Sequence, residues 1–360
     1  MDFLALIFPF SVWQCWWLAP VALMLDLWLG DPRLPWPHPV VLVGRLLNAM
    51  EAPARRFMDA GADDDARRRR GRLAGIVALA AALLVVMAVV RLALAIPMSS
   101  QTWAWLGTLL SLYLAWAGLA MGSLLETGGR VLRHVEEDDV PQGRTALSWL
   151  VSRDTSQMDR PLMRKTLADT LSENFTDAFV APFFWLLVAG PVGLWAYKTM
   201  STTDSMWGYL TPRWRWLGWA GARGDDCLAF VPGRVGIVML WLTHLLYSWW
   251  SRIAARPVPW EGGWPGFRVV ARHAAGMPSP NSGWPMAACS WLCHGRMAGP
   301  SVYFGELVNK PWMGPPYDGA GGTDWDRARL TALMCLLHSG TICGGLVLWV
   351  VLVCLAAVAV

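Results

Sequence analysis

The chain alternates long apolar stretches with segments dense in charge, glycine and proline. Leu73 to Ile96 is apolar with one charge, Arg91, near its end. Trp103 to Leu125 carries no charge, and Thr331 to Val360 has no acid or base other than His338. At 1.5 Å per residue each run is long enough to cross a hydrocarbon core of roughly 30 Å. The stretch up to Leu29 is also apolar but carries Pro9, Pro20 and Asp26. It lacks a basic leader and a small-residue cleavage site, so it reads as a membrane helix kinked or broken at Pro20, not as a signal peptide. Val180 to Tyr197, interrupted by Gly190-Pro191-Val192-Gly193, and Val235 to Trp250 are shorter and either span or enter and return. Segments 126–179, 198–234 and 252–330 are polar and rich in Gly and Pro, and read as loops. The expected fold is an all-α integral membrane protein, a polytopic helical bundle of about four full spans plus two re-entrant or buried apolar segments. The chain is expected to form one membrane-embedded domain, 1–360, with a basic cytoplasmic linker at 45–72. Loops and buried segments at 126–330 carry the site.

Composition strengthens this picture. Charged residues are 16% of the chain, against about 25% in soluble domains. Hydrophobic residues are 55%, and the 25 Trp exceed Phe and Tyr together. Trp favours the membrane–water boundary, where its ring is buried and its N–H is wet. Disorder, a coiled coil and an ordinary soluble enzyme are excluded. The net charge of +4 comes with no basic stripe interleaved with aromatics, so no nucleic-acid partner is expected. Arg45 to Arg72 holds eight Arg, and such loops stay in the cytoplasm. Both termini then lie outside and the loop after Leu125 inside.

Four polar patches sit at apolar boundaries. The first, Gly30-Asp31-Pro32 to Pro37-His38-Pro39-Val40, is stiffened by its prolines and can aim Asp31 and His38. In the second, Arg153 and Asp154 precede a helical pattern in which Asp169, Glu173 and Asp177 are four apart and share a face. Mg²⁺ would relieve their repulsion; a solvated face, with Lys165 pairing Asp169, is the plain alternative. The third holds Lys198, Asp204, Arg223, Asp225 and Asp226, suited to Mg²⁺-phosphate handling or to interfacial snorkelling. The fourth, Met277 to Pro285, is a stiff turn presenting Ser279 and Asn281. Cys289-x-x-x-Cys293-His294 lacks a second pair at zinc spacing and reads as buried thiols. No standard phosphate-binding loop, nucleophile elbow or zinc helix motif is present.

In this order the patches resemble the CobD/CbiB family of cobalamin biosynthesis, adenosylcobinamide-phosphate synthase. The matching strings are Gly30-Asp31-Pro32 with Pro37-His38-Pro39-Val40; Arg153-Asp154-Thr155; Leu171-x-Glu173-Asn174 with Asp177; Tyr197-Lys198 with Thr202-x-Asp204-Ser205-Met206; Ala222-Arg223-x-Asp225-Asp226; and Pro278-Ser279-Pro280-Asn281-Ser282-Gly283. Three positions depart from the family pattern: Met277 stands for a usual His, Ala229 for Asn and Asp169 for Glu. His273 is a nearby substitute for the missing His. The resemblance implies an ATP-dependent acid–amine ligase that joins adenosylcobyric acid to (R)-1-amino-2-propanol or its O-phosphate, with ATP and Mg²⁺ as implied cofactors. It also implies a multi-pass protein of the bacterial inner membrane, catalytic loops facing the cytoplasm, with other corrinoid-pathway membrane enzymes as candidate partners. On this reading Glu173, Asp177, Asp204, Asp225 and Asp226 hold the metal. Arg153, Lys198, Arg223, Ser279 and Asn174 bind substrate or phosphate. Asp31, His38, Asp154 and Asn281 form the catalytic set, one of the first three being the base. The alternatives are a non-catalytic membrane sensor of a related cell-wall-recycling family and a corrinoid transporter.

Overall fold

The computed structural model describes residues 16–98, 102–151, 153–303, 306–316 and 323–359. The expected membrane stretch before residue 16, with Pro9, lies outside the described residues. The fold is helical throughout, apart from two small antiparallel ribbons. Five helical stretches are long and apolar enough to cross a membrane: 64–95, 104–136, 160–207, 230–254 and 327–355. The chain divides into two compact units, one made of 1–120, 181–229 and 349–360, the other of 121–180 and 230–348.

The first unit begins with α1 (Leu18–Leu29), α2 (Pro39–Asp59), α3 (Asp64–Met98) and α4 (Ala104–Ala117). Pro20 lies in the first turn of α1, where its missing N–H is not needed. The basic stretch 45–72, expected as a linker, is largely helical: α2 and α3 run through it, leaving only 60–63 between them. Some of its charges are exposed, as in the Asp65–Arg68 pair, and others are half-buried, as in the Glu51–Arg55 pair.

The rest of this unit is α8 (Ala181–Trp207) and α9 (Trp219–Leu228). Helix α8 breaks where Gly190-Pro191-Val192-Gly193 predicts, with non-helical backbone at Ala189 and at Gly190, whose φ is 62°. In a straight helix residues 185 and 193 are about 12 Å apart along the axis. Here a Cβ on Gly193 would lie 2.9 Å from the Trp185 carbonyl oxygen, so the chain bends sharply. The bend is buried, with Ala189, Gly190, Pro191 and Val192 all inaccessible, as broken helices at membrane depth require. Trp195 donates its indole N–H to the Leu114 carbonyl at 3.0 Å, tying α8 to α4.

The second unit contains α5 (Met121–Glu136), α6 (Val140–Ser148), α7 (Arg160–Glu173), a π-helical turn (Thr176–Val180), α10 (Phe230–Ala254), α11 (Phe267–Ala274), α12 (Gly283–Leu292) and most of α13 (Arg327–Ala359). Asp139 and Asp159 cap α6 and α7, each accepting a backbone N–H in the first turn, and a Pro follows each cap. The uncharged run 103–125 is two helices, parted at Gly118–Ala120. Much of 126–179, read as loop, is helical. Gly128-Gly129 looks like a loop signal, but Gly128 admits the Leu171 side chain, 2.9 Å from where its Cβ would be. The run 235–250 is not re-entrant. It belongs to α10, an unbroken helix of 25 residues, about 38 Å long, because Pro232 and Gly233 fall in its tolerant first turn. Lipid tails are as apolar as these side chains, so close approach at small residues drives the packing. A Cβ on Gly340 of α13 would accordingly stand 3.0 Å from the Leu240 side chain of α10. Strands β1 (Met297–Ala298) and β4 (Trp312–Met313) pair, as do β2 (Ser301–Tyr303) and β3 (Glu306–Val308).

Candidate active site

The first unit assembles the Pro-rich turn and the third patch. Gly30, at φ 65°, turns the chain out of α1, and a side chain there would be strained. The Trp116 indole N–H donates to the Gly30 carbonyl at 2.8 Å, and Trp36 donates to the Tyr113 hydroxyl at 3.0 Å. The pinned turn delivers His38 to the start of α2, where its Nδ1 accepts the Val40 N–H at 3.3 Å. The proton of the neutral ring therefore sits on Nε2, which is buried and has no hydrogen-bond partner among the described residues. Burial pushes the His38 pKa below its usual 6.5; nearby Asp31 opposes the shift and Lys198 of α8 adds to it. His38 is thus set as an Nε2–H donor. The base role expected for it needs a free lone pair, and the helix cap occupies that lone pair.

Helix α9 reaches α8 through glycines. A Cβ on Gly221 would stand 2.8 Å from Thr203 Cγ2, and one on Gly224 would overlap Met200. A Cβ on Gly208 would overlap the Asp204 carboxylate. These contacts put Lys198 and Asp204 on one of two tightly packed helices and Arg223, Asp225 and Asp226 on the other. Arg223 and Asp226 lie 3.8 Å apart with Arg223 well exposed, a pair of small energetic weight.

The second unit centres on Asp169, whose side chain is fully buried. Lys165 Nζ approaches at 3.0 Å and Arg153 Nη1 at 3.6 Å, and the Ala298 N–H donates to it at 2.9 Å. Arg153 also reaches the Ser301 hydroxyl at 3.4 Å. One turn on, Glu173 feels Lys310, Asp169, Arg153 and Asp177 electrostatically. Helix α7 ends at Glu173, where the Asn174 amide donates to the Thr170 carbonyl at 3.0 Å. Asp177 follows in the π turn and, like Asp169, lies close enough to Glu173 to act on it electrostatically. Such π turns are frequent at functional sites.

Other expected residues are engaged locally. Asp154 is exposed and accepts the Ser156 N–H at 2.9 Å, which holds its carboxyl below the usual range and weakens it as a base. The Ser279 hydroxyl accepts the Asn281 and Ser282 N–H groups at 3.2 and 3.4 Å. Buried Asn281 accepts from Arg234 at 2.6 Å. Arg234 also lies 3.6 Å over the Phe230 ring and 4.7 Å over Trp284. Cys289 and Cys293 are buried; burial pushes the Cys289 thiol up to about 12 and that of Cys293 well above its usual value, so both are protonated. Sequence reasoning missed Arg234, Ser301 and Lys310. Arg234 opens an apolar run, Ser301 starts β2 and Lys310 lies between β3 and β4, so no local spacing marks them.

Glu173 and Asp177 belong to the second unit, Asp204, Asp225 and Asp226 to the first. Among the described residues no three His, Cys, Asp or Glu side chains are grouped so as to hold a metal ion. The donor sets still fit Mg²⁺, which binds through one or two carboxylates plus substrate phosphates and keeps several waters. They do not fit a dedicated protein cage.

The family model described as CobD/Cbib protein matches residues 19–332. A Cobalamin biosynthesis protein CobD from Photorhabdus laumondii is 34% identical over 298 residues, 83% of this chain and 86% of its own length. The protein of that name from Pelobacter propionicus is 35% identical over 303 residues, 84% of this chain and 86% of its own. A Cobalamin biosynthesis protein CbiB from Salmonella choleraesuis is 33% identical over 294 residues, 82% of this chain and 85% of its own. No solved structure matches. The match spans both polar clusters and nearly every helix described above, and the chain belongs to the CobD/CbiB family.

Proposed function

We propose that this membrane protein acts in cobalamin biosynthesis by forming the amide between adenosylcobyric acid and (R)-1-amino-2-propanol or its O-phosphate. Family membership supports the pathway. The observation that carries the reaction is the set of Arg153, Lys165 and Glu173 gathered around the fully buried carboxylate of Asp169. Buried ionisable groups of this kind are costly and mark function by default.

A carboxylate is a poor electrophile at neutral pH, so we infer ATP activation. The terminal phosphoryl group passes to the corrin carboxylate and ADP leaves; the amine attacks the acyl carbon and phosphate departs. Arg153 in the second unit, and separately Lys198 and Arg223 in the first, would bind phosphate oxygens and stabilise charge developing on them. Glu173 and Asp177, and separately Asp204, Asp225 and Asp226, would hold Mg²⁺, which neutralises phosphate charge when bound. The Nε2–H of His38 would donate to a substrate oxygen. One of Asp31, His38 and Asp154 would deprotonate the ammonium, and Asp31 is our candidate because it sits on the pinned turn beside His38; only the free amine is nucleophilic. The loops carrying these groups would face the cytoplasm, where ATP is.

Purified protein with adenosylcobyric acid, either amine and Mg-ATP tests the reading. Product should need every component. Alanine at Asp177, Asp204 or Asp226 should abolish product without reducing membrane insertion; full activity in all three would discard the carboxylates' role. A strain lacking the protein should grow on cobinamide but not on cobyric acid. Growth on both would favour the sensor reading.

A further inference from the structure

Beside the acid–base cluster of the second unit lies a cleft of about 540 Å³ that none of the roles above uses. Arg272 and His273 enter it from α11, Trp291 from α12, Arg296 from the segment before β1 and Trp312 from β4. No acidic side chain lines it among the described residues. The Arg296 guanidinium is held 4.4 Å over the Trp312 ring, and Lys165 of the buried cluster lies 5.4 Å from the same ring. His273 bonds to the Trp312 backbone, and its ring is 6.2 Å from that of Trp291. Gly314, at φ 100°, closes one wall; a Cβ there would sit 3.1 Å from Ser290 of α12. Volume, charge and wall chemistry select the ligand class. Clefts of this size hold small organic ligands. A guanidinium takes phosphate with two parallel hydrogen bonds, and Arg272 and Arg296 each bring one to this cleft. A bare inorganic anion would leave the Trp291 indole and the wall of Pro265, Pro315 and Pro316 in contact with water; a flat heteroaromatic ring covers them.

We propose that this cleft is a nucleotide site, with Arg272 and Arg296 on the phosphates and Trp291 with the prolines on the base. The inference rests on the ATP dependence proposed above and adds a location to it. The test is equilibrium binding of a non-hydrolysable ATP analogue with Mg²⁺ to the full chain in detergent. Arg272 is exposed, so Arg272→Glu should keep the parent melting temperature while weakening binding about tenfold or more, through loss of charge-assisted bonds. Trp291→Ala should weaken the analogue but leave its displacement by tripolyphosphate intact. Equal binding to parent and Arg272→Glu, or no binding to the parent, would overturn the site. Displacement by aminopropanol phosphate at lower concentration than by ADP would assign the cleft to the amine and also overturn it. Product formed without ATP would instead overturn the reading beneath it.

Discussion

Asp169 gives the sharpest test of the buried network. Its carboxylate is fully inaccessible, and its partners Lys165 and Arg153 are 13% and 8% exposed. At separations of 3.0 and 3.6 Å and an effective dielectric of about 20, each pair is attracted by about 5 kcal/mol. Much of that offsets the desolvation of three charges, so the network adds little net stability when intact. Asp169→Ala removes the attraction and leaves the desolvation. Lys165 and Arg153 lose the carboxylate between them, Arg153 keeping its interaction with Glu173, at about 3–5 kcal/mol, and the Ala298 N–H loses its acceptor, at about 1–3 kcal/mol. At about 2 °C per kcal/mol for a chain of this size, the melting temperature should fall by at least about 8 °C. Asp169→Asn keeps an oxygen for Ala298 and should fall by about half as much. Adding Lys165→Met to Asp169→Asn removes one stranded cation and should recover part of the loss. The assay is thermal unfolding in detergent, with and without Mg²⁺, which should make no difference to any of these changes. An Asp169→Ala protein that melts within about 1 °C of the parent would refute the reasoning.

His38 makes stability pH-dependent with a defined sign. Its folded pKa lies below 6.5, so the unfolded chain takes up the proton first. Stability is full above about pH 6.5 and falls as pH drops through the window below. His38→Asn keeps a capping acceptor and should flatten the slope of melting temperature against pH, though not abolish it, since burial shifts His273 the same way; an unchanged slope would contradict the assignment. Exposed Cys227 should react with maleimide in the folded protein, whereas buried Cys289, with its thiol at about 12, should react only after denaturation, as peptide mass mapping will show. Gly193→Ala should lower the melting temperature by several degrees because its Cβ would overlap Ala189; Gly263→Ala, with nothing within 4 Å, should leave it unchanged.

Sequence alone determined what depends on neighbours along the chain. The apolar run from Leu73, with its one charge at Arg91, lies inside α3, and the break at Gly190-Pro191 is real, because both follow from local backbone and solvation rules. The Lys165–Asp169 pair was legible as an i, i+4 spacing. Tertiary structure alone decided what distant segments do to one another. Ala298 binds Asp169 across 129 residues, and neither position signals the other. The Leu171 side chain of α7 likewise occupies the space that a Cβ on Gly128 of α5 would take. Local pattern specifies where a chain can bend and which stretches prefer lipid. Which acid meets which base is settled by packing, because a buried charge is stable only where the fold brings it a partner.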